Sequence, residues 1–308
     1  MKILCFKVEV KSYLAGTVWS DQLFGHITWA VKSLKGEEFF NQFIDAYKTA
    51  KKEAEIPMIF SSIFPHNHLP LPSLSYNLNK LFEDEEGYKK VKKIKKARFV
   101  RAEYFSEISN SLTSEIDVEE LYENIWLQKH EERDFMHNTI DRESGRVLEG
   151  ALFVQEQKHF KEPLWFFVKV SQKWEQLLCE ALKFIELRGL GADAAIGAGS
   201  VKITEESPDF IKDWDHEKNS FISISHAVSR YAINYQTVTK YGKLFNKIDE
   251  SDNPFKQPII MMEPGAILGS KAKEDIAYGI IRNIHRNEKI IHCAIPFLVP
   301  VNLSQEVK

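Results

Sequence analysis

Cysteine is scarce in this chain, and long apolar runs are absent from it. The three cysteines, Cys5, Cys179 and Cys293, form neither a CxxC pair nor a Cys/His pair at metal spacing. This usage argues against a disulfide framework or a structural zinc site and fits a reducing compartment. The most apolar segment, residues 290–301, contains a histidine and two prolines and is too short to cross a membrane. Residues 1–7 favour a strand and are too short and too charged for a signal peptide. We therefore expect a cytoplasmic protein.

Signatures of catalysis are also missing. The sequence has no GxSxG, no P-loop, no HExxH and no paired-aspartate metal motif. Its net charge of −3 also excludes a strong overall attraction to nucleic acid, so contact with RNA or DNA must come from local patches. These absences favour a protein that is not an enzyme and that needs neither a cofactor nor a metal.

What is present is typical of a folded protein that alternates strands and helices. Apolar residues make up 44% of the 308-residue chain, enough for one large core or two medium ones. Hydrophobic periodicity, helix caps and glycine or proline punctuation predict the element order of the first 204 residues. The expected elements are a strand at 2–10, a helix opening at Ser20-Asp21, a helix at 37–52, an irregular connection at 57–75, strands at 137–141, 151–156 and 164–170, a helix from Ser171 to Arg188, and a strand at 200–204.

With a long insertion at about residues 57–135 set aside, this order is βαββαβ, which is the ferredoxin-like order. An acidic linker leads into a strand-rich remainder at residues 219–303. We therefore expect an α+β protein with two domains, residues 1–206 and a smaller β-rich domain at residues 207–308.

The insertion carries two charge runs of opposite sign. Residues 89–101 include eight basic and no acidic residues, whereas residues 115–134 include eight acidic ones. Lysines beside aromatic residues, here Phe99 and Tyr104, are typical of single-strand nucleic-acid binding. We therefore favour contact with RNA or a partner over a merely solvated face. The acidic run either neutralises the lysines within the fold or faces a basic partner.

Four of the 14 glycines fall within eleven residues, between the last helix and the last strand predicted for the first domain. They are Gly189, Gly191, Gly197 and Gly199. Glycine allows positive φ and close backbone approach, and exposed amides in such turns can hold an anion. A flexible surface loop and a ligand-binding loop are both open as interpretations of this segment.

Several motifs resemble those of the RAMP superfamily, the RNA-binding subunits of CRISPR effector complexes. Residues 20–25, Ser-Asp-Gln-Leu-Phe-Gly, are similar to its helix-opening signature, and the glycine pairs match its glycine-rich loop. Residues 138–153, with Asn-Thr-Ile-Asp-Arg and Gly-Ala-Leu-Phe, resemble the central motif of one branch, the fourth subunit of the type III-A Csm complex. The lysine run at 92–96 and the closing Ala-Ile-Pro-Phe at 294–297 are similar to that subunit too.

The resemblance implies a non-catalytic RNA-binding subunit made of two ferredoxin-like (RRM-like) modules. It places a long insertion in the first module and a glycine-rich loop before the last strand of that module. Such a subunit holds the 5′ tag of the CRISPR RNA in antiviral defence. Its implied partners are the large polymerase-type subunit, the adjoining backbone RAMP subunit and, indirectly, the target RNA. An inserted segment can act as a thumb on the guide–target duplex.

The motifs and the local positive charge also predict which residues bind RNA. Arginine is favoured because its guanidinium fork matches phosphate geometry, although at least one of the four arginines should form a surface salt bridge instead. Asp141 is expected to orient Arg142 or to cap a turn. The predicted RNA-binding residues are Ser20, His26, Lys92, Lys93, Lys95, Lys96, Arg133, His137, Asn138, Arg142, Arg146, Arg188, Gly189, Gly191, Ala192, Gly197 and Gly199.

The glycine loop departs from the family pattern because it carries no cation. The space between its glycine pairs holds aspartate, alanine and isoleucine side chains. We therefore expect the loop to contact RNA mainly through backbone amides. Replacing Gly191 or Gly199 with valine should then weaken RNA binding more than replacing Asp193 with alanine.

Two other functions stay open on the sequence alone. The first is a metal-independent endoribonuclease that processes precursor CRISPR RNA, with His26 or His137 as the general acid or base. The second is a structural β-rich interaction protein whose glycines only make turns. That protein would bind RNA no better than any mildly acidic protein does.

Overall fold

A computed structural model of the chain describes residues 1–79, 85–127, 131–244 and 254–304. Parts of the predicted insertion (80–84 and 128–130) and of the second predicted domain (245–253 and 305–308) lie outside the described residues. In the first part of the chain the elements are β1 (Lys2–Val10), α1 (Ser20–Thr49), β2 (Met58–Phe60), β3 (Phe64–Pro65), β4 (His68–Pro70), α2 (Glu85–Lys96), β5 (Phe99–Arg101), α3 (Ala102–Ser109), α4 (Val118–Asn124), β6 (Ile125–Trp126), β7 (Glu131–Ile140), β8 (Val147–His159), β9 (Leu164–Val170), α5 (Glu175–Arg188) and β10 (Val201–Glu206).

Short strands and 3-10 turns dominate the rest of the chain. The strands are β11 (Ser220–Ser223), β12 (Ala232–Asn234), β13 (Thr237–Lys240), β14 (Ile259–Met262), β15 (Ala266–Gly269), β16 (Ile280–Ile281), β17 (His292–Cys293) and β18 (Leu298–Val301). The 3-10 turns of the whole described chain lie at Glu53–Glu55, Gln172–Trp174, Ala194–Ile196, Asp209–Asp215, Ser270–Lys273 and Ile276–Gly279. None of the helices in the described ranges is long and apolar enough to span a bilayer.

The first sheet has the strand order β10-β1-β9-β2, and β3 also pairs with β9. All of these pairs are antiparallel. Strand β9, whose bounds the sequence predicted correctly, is buried along its whole length, as its apolar composition requires. Its one lysine, Lys169, forms a salt bridge with Glu53, in which Nζ lies 2.8 Å from Oε1.

Two predictions for this sheet need correction. The segment at residues 57–75 is not merely irregular, because β2 and β3 lie within it and add to the edge of β9. The strands predicted at 137–141 and 151–156 do not join the first sheet, because they pair with each other in the hairpin β7–β8. The two predicted helices are the two segments of α1, which meet at a kink at Gly36, where φ is +81°.

The second sheet has the order β12-β15-β11-β18. Its described region, residues 207–304 apart from the gap, contains strands and 3-10 turns and no α-helix, in line with the β-rich prediction. The two regions share one apolar core. Phe167 of β9 contacts Trp214 at 5.0 Å between ring centroids, and Trp214 contacts Phe297 at 6.0 Å. A division of the chain at residue 206 therefore stays a prediction.

Candidate nucleic-acid interface

The glycine loop joins α5 to β10 and folds back on itself. All four of its glycines have positive φ, from +69° to +96°. Leu190 N–H donates to Gly199 O at 2.8 Å, which closes the loop. A Cβ built on Gly199 would lie 1.9 Å from Leu190 O, so glycine is required there.

The glycine amides do not point to a ligand. They donate to Ile185 O (from Gly189, 2.7 Å), His26 Nε2 (from Gly191, 2.9 Å), Ala194 O (from Gly197, 3.3 Å) and Tyr13 O (from Gly199, 2.7 Å). These four N–H groups are engaged within the chain, so the predicted RNA contact through backbone amides stays a prediction for the remaining amides of the loop. The bonds give the loop a fixed shape.

His26 holds this loop from one turn inside α1. Because its Nε2 accepts the Gly191 N–H, the ring is neutral and carries its proton on Nδ1. Burial lowers the pKa of His26 to about 4, so the ring stays uncharged at neutral pH. The structure thus gives His26 a role in positioning the loop and no exposed charge to offer a phosphate.

Ser20 also lies away from solvent. Its hydroxyl donates to His226 O at 3.0 Å, and its amide donates to Ser62 Oγ at 3.3 Å. Only 5% of the residue is exposed, so direct contact with RNA does not fit this position. The Ser-Asp helix opening instead ties α1 to the C-terminal half of the chain.

The hairpin β7–β8 is exposed along most of its length. Asp141 caps its turn by accepting the amide N–H of Glu143 and of Ser144 at 3.0 and 2.7 Å, as one of the two expectations for it required. The bonds from Ser144 hold the pKa of the Asp141 carboxyl below its usual value. Arg142 and Arg146 lie exposed at the tip and form no salt bridge within the described part of the chain.

The root of the hairpin, which we define as residues 131–135 and 155–159 at the end away from the turn, is fixed to the glycine loop. Gln155 Nε2 donates to Asp193 Oδ2. On the neighbouring segment, Leu14 and Lys158 exchange backbone bonds of 3.0 and 2.9 Å. The glycine loop and the hairpin are therefore one structural unit, and Asp193 is the residue that joins them.

An aromatic face of the hairpin lies on the side of this joint. His137 is opposite Phe153, and the two rings stack at 5.3 Å with 15° between their planes. Phe135 follows at 6.3 Å from His137. Since alternate residues of a strand share a face, these rings lie on the same face as Gln155. Phe135 and Phe153 are 51% and 52% exposed, which leaves ring surface open to a base.

Sequence reasoning missed Phe135 and Phe153 as site residues. The alternation of Phe135 and His137 was a signal for one face of a strand. Whether that face is open to solvent depends on the rest of the fold, and the sequence does not show it. His137, which was predicted, has an Nε2 that is buried and lacks a hydrogen-bond partner among the described residues. Asn138 lies on the opposite, exposed face.

Of the predicted arginines, Arg133 forms the expected surface salt bridge, with Glu131 at 3.3 Å. Arg188 is the last residue of α5 and lies exposed next to Gly189. Ala192 makes an isolated bridge to Ala15, which adds to the packing of the loop against the segment after β1.

The lysines of α2 form a partly neutralised face. Acidic residues pair with Lys89 and Lys90 at 2.8 and 2.7 Å. Lys93 donates to Tyr122 Oη at 2.9 Å, and Lys92 lies 4.8 Å from the Tyr88 ring. Lys95 and Lys96 are exposed, without an ion pair in the described ranges.

One of the two aromatic residues that the sequence suggested for base stacking beside these lysines is buried. Tyr104 is 3% exposed and belongs to the core, and Phe99 is half-buried against Phe64 and Trp126. Tyr88 and Tyr122 are the rings that lie beside the lysines. The acidic run meets the lysine run through Glu119, so part of it does neutralise lysine charge within the fold.

The three cysteines are free, and burial raises the pKa of Cys293 to about 12. No group of three or more His, Cys, Asp or Glu residues in the described ranges could hold a metal ion.

Comparison with known proteins gives a match in fold. No protein-family model matches the chain, and comparison with curated proteins finds no match. The chain is similar to a chain of the Csm1-Csm4 cassette in complex with cA4, with 17% identity and a TM-score of 0.62 over 99% of this chain and 100% of that one. A chain of the Csm1-Csm4 cassette in complex with pppApA has 17% identity and a TM-score of 0.61 over 98% of this chain and 99% of that one.

A third similar structure is the Csm3-Csm4 subcomplex in the type III-A CRISPR-Cas interference complex. It gives 15% identity and a TM-score of 0.59 over 98% of this chain and 100% of that one. These neighbours are Csm4 chains, so the family resemblance predicted from the motifs is confirmed at the level of the fold. The match extends over nearly the whole of both chains.

Proposed function

We propose that this chain is a non-catalytic RNA-binding subunit of a type III-A CRISPR interference complex, where it holds the 5′ tag of the CRISPR RNA. The observation that carries the proposal is the joint between the hairpin and the glycine loop. The Gln155–Asp193 bond places an open aromatic face directly beside the loop, with two arginines at the far end of the hairpin. Exposed rings and exposed guanidinium groups along one hairpin suit single-stranded RNA.

Both sheets of the chain belong, in this proposal, to ferredoxin-like modules. When the four strands of each sheet are numbered as they occur in the sequence, their order across the sheet is 2-3-1-4. In the first sheet α1 and α5 lie in the two crossovers, which is the βαββαβ arrangement. In the second sheet turns and short ribbons replace the helices.

The proposed partners follow from the neighbours in fold. One set of those structures is a cassette with Csm1, and another is a subcomplex with Csm3. We infer that this chain likewise bridges a large polymerase-type subunit and a backbone RAMP subunit in antiviral defence. The free cysteines suit the cytoplasm as the place where it acts.

The geometry at His26 supports a non-catalytic role. A general acid or base needs an imidazole nitrogen that faces the substrate. Here Nε2 already accepts the Gly191 N–H, and the low pKa keeps the ring neutral. A role for His26 in RNA cleavage would require the glycine loop to open.

Binding of CRISPR RNA by the assembled complex tests the proposal. The complex should bind RNA carrying the native 5′ tag more tightly than RNA with a scrambled tag. Replacement of both Arg142 and Arg146 by alanine should weaken binding and reduce the salt dependence, by roughly 0.7 in log–log slope for each lost phosphate contact on a single strand. The matched control is Arg133→Ala, which removes an arginine of the same hairpin that already pairs with Glu131.

Tag exchange without effect on affinity or assembly would overturn the proposal. Specific cleavage of precursor RNA by the wild type, lost in His26→Ala or His137→Ala, would replace it with the endoribonuclease function.

A further inference from the structure

A second antiparallel ribbon lies in the C-terminal half of the chain, outside the predicted RNA site. Strands β13 and β14 pair along their whole length, and Lys256 N–H donates to Gly242 O at 2.8 Å beyond them. We call residues 237–244 and 254–262 the C-terminal ribbon.

The two faces of the C-terminal ribbon differ in burial. Its inner face is covered, since Ile259 and Met261 belong to a small apolar cluster that Trp19 and Leu244 pack against. Its outer face carries exposed apolar and aromatic residues. The side chains of Tyr241, Phe255 and Ile260 are exposed.

The exposure of these three residues is large. It amounts to 73% at Tyr241, 55% at Phe255 and 68% at Ile260. Strand alternation places Tyr241 and Lys243 on the same side as Ile260. Lys243 pairs with Phe255 across the ribbon, and its Nζ lies 5.8 Å from that ring. The outer face is therefore two exposed rings with a lysine between them.

The charge of the C-terminal ribbon has one sign. Residues 237–244 and 254–262 include three lysines and no acidic residue. Only Lys243 lies on the outer face, because Lys240 Nζ contacts Asp21 and the Trp19 ring and Lys256 Nζ donates to Ile291 O at 3.0 Å. The connecting sequence at 245–253 includes three acidic residues and one lysine, so the positive charge that the outer face itself offers a polyanion is that of Lys243. This contrasts with a chain whose net charge is −3.

The C-terminal ribbon is continuous with the candidate nucleic-acid interface. Lys240 Nζ lies 4.1 Å from the Trp19 ring and 3.6 Å from Asp21 Oδ2, at the start of α1. His26, which holds Gly191, is five residues further along α1, or about 7.5 Å at 1.5 Å per residue. The ribbon and the glycine loop thus flank the same end of one helix.

We propose that the outer face of the C-terminal ribbon binds single-stranded RNA, with Tyr241 and Phe255 each stacked on a base and Lys243 on the phosphate between them. This inference rests on the proposed function, because the RNA would reach the ribbon from the glycine loop. Rings interleaved with cations and free of acids are typical of single-strand binding that tolerates any sequence. A protein partner docked here would depend on Ile260 as much as on the rings.

Fluorescence anisotropy with the full-length chain and a labelled CRISPR RNA tests the ribbon. Tyr241→Ala and Phe255→Ala should each weaken binding about five- to 150-fold, which is the loss expected for one stacked base. Tyr241→Phe keeps the ring and should bind like the wild type. Ile260→Ala on the same face and Leu34→Ala, at an exposed position outside the predicted RNA site, are the matched controls and should also bind normally.

Ultraviolet cross-linking of the wild type gives a second measurement that needs no variant. RNA cross-links should map to the peptides that contain Tyr241 and Phe255. If the wild type binds RNA but both ring variants bind equally well and no cross-link maps there, the ribbon inference fails and the proposed function stands. If the wild type and the assembled complex bind no CRISPR RNA, the proposed function itself fails. Loss of a partner subunit in Ile260→Ala, with RNA binding unchanged in both ring variants, would make the ribbon a protein interface instead.

Discussion

At Gly199 the backbone leaves no space for a side chain. The nearest atom to a built Cβ is Leu190 O at 1.9 Å, and φ is +69°. Gly197 has φ of +94° but meets nothing within 4 Å of a built Cβ. The two glycines therefore separate the conformational cost of a side chain from its steric cost.

We expect Gly197→Ala to lower the free energy of unfolding by about 1–2 kcal/mol, the cost of a left-handed conformation for an L-residue. Gly199→Ala should cost about 2–5 kcal/mol, because overpacking against Leu190 is added. Chemical denaturation of both variants measures the difference. Equal losses would show that the loop relaxes around Gly199 and is not rigid.

At the scale of the element, the hairpin β7–β8 depends on its joint to the loop. Gln155→Ala should remove one net hydrogen bond and leave Asp193 without this partner. We expect faster hydrogen–deuterium exchange at the root of the hairpin and RNA affinity reduced about two- to tenfold. Gln176→Ala, which removes a glutamine bonded to Glu180 within α5, is the control. If exchange and affinity match those of the control, the Gln155–Asp193 bond does not fix the hairpin to the loop.

The sequence predicted the elements whose signal is local. Strand β9 is an apolar run interrupted only by Lys169, and α5 has a clean apolar stripe that ends at glycine. Strand β2 was missed because three residues among prolines form a strand only through their pairing with β9, far along the chain. The segments at 137–141 and 151–156 pair locally in a hairpin, and the sequence did not show that β2 and β3 take the place beside β9 in the first sheet.

The candidate site was predictable only in outline. The glycine cluster and the motif at residues 138–153 pointed to the correct segments. The direction of each N–H in the loop was not predictable, since it depends on where His26 and Tyr13 come to lie. Asp193 also bonds to the hairpin, so Asp193→Ala changes more than the loop when its RNA binding is compared with that of Gly191→Val.

At the scale of the whole molecule, His226 lies at the junction of the two halves. Its ring stacks on Trp19 at 4.0 Å, and its Nδ1 lies 2.8 Å from Ser62 Oγ. Burial, helped by the charges of Lys240 and Arg98, lowers the pKa of His226 to about 3. The junction is thus built around a neutral imidazole.

Acid should therefore weaken the junction. In the unfolded chain His226 takes up a proton near pH 6.5, whereas in the folded chain it does so only near pH 3, so stability present above pH 6.5 is lost as the pH falls toward 3. Unfolding free energies at pH 7.5 and pH 5 should differ less in His226→Gln than in the wild type. The limit for one histidine is about 1.4 kcal/mol per pH unit. Exposed His216→Gln is the control, and an unchanged pH dependence in His226→Gln would contradict this account.

The central claim, that this chain holds the 5′ tag of the CRISPR RNA, is tested most directly by site-specific cross-linking. The assembled complex would be formed on CRISPR RNA that carries a photoreactive base at each tag position in turn, and the cross-linked peptides would be identified by mass spectrometry. The account predicts that tag positions cross-link to this chain, at the aromatic face of the hairpin around Phe135 and Phe153. Cross-links from every tag position to other subunits alone would contradict it.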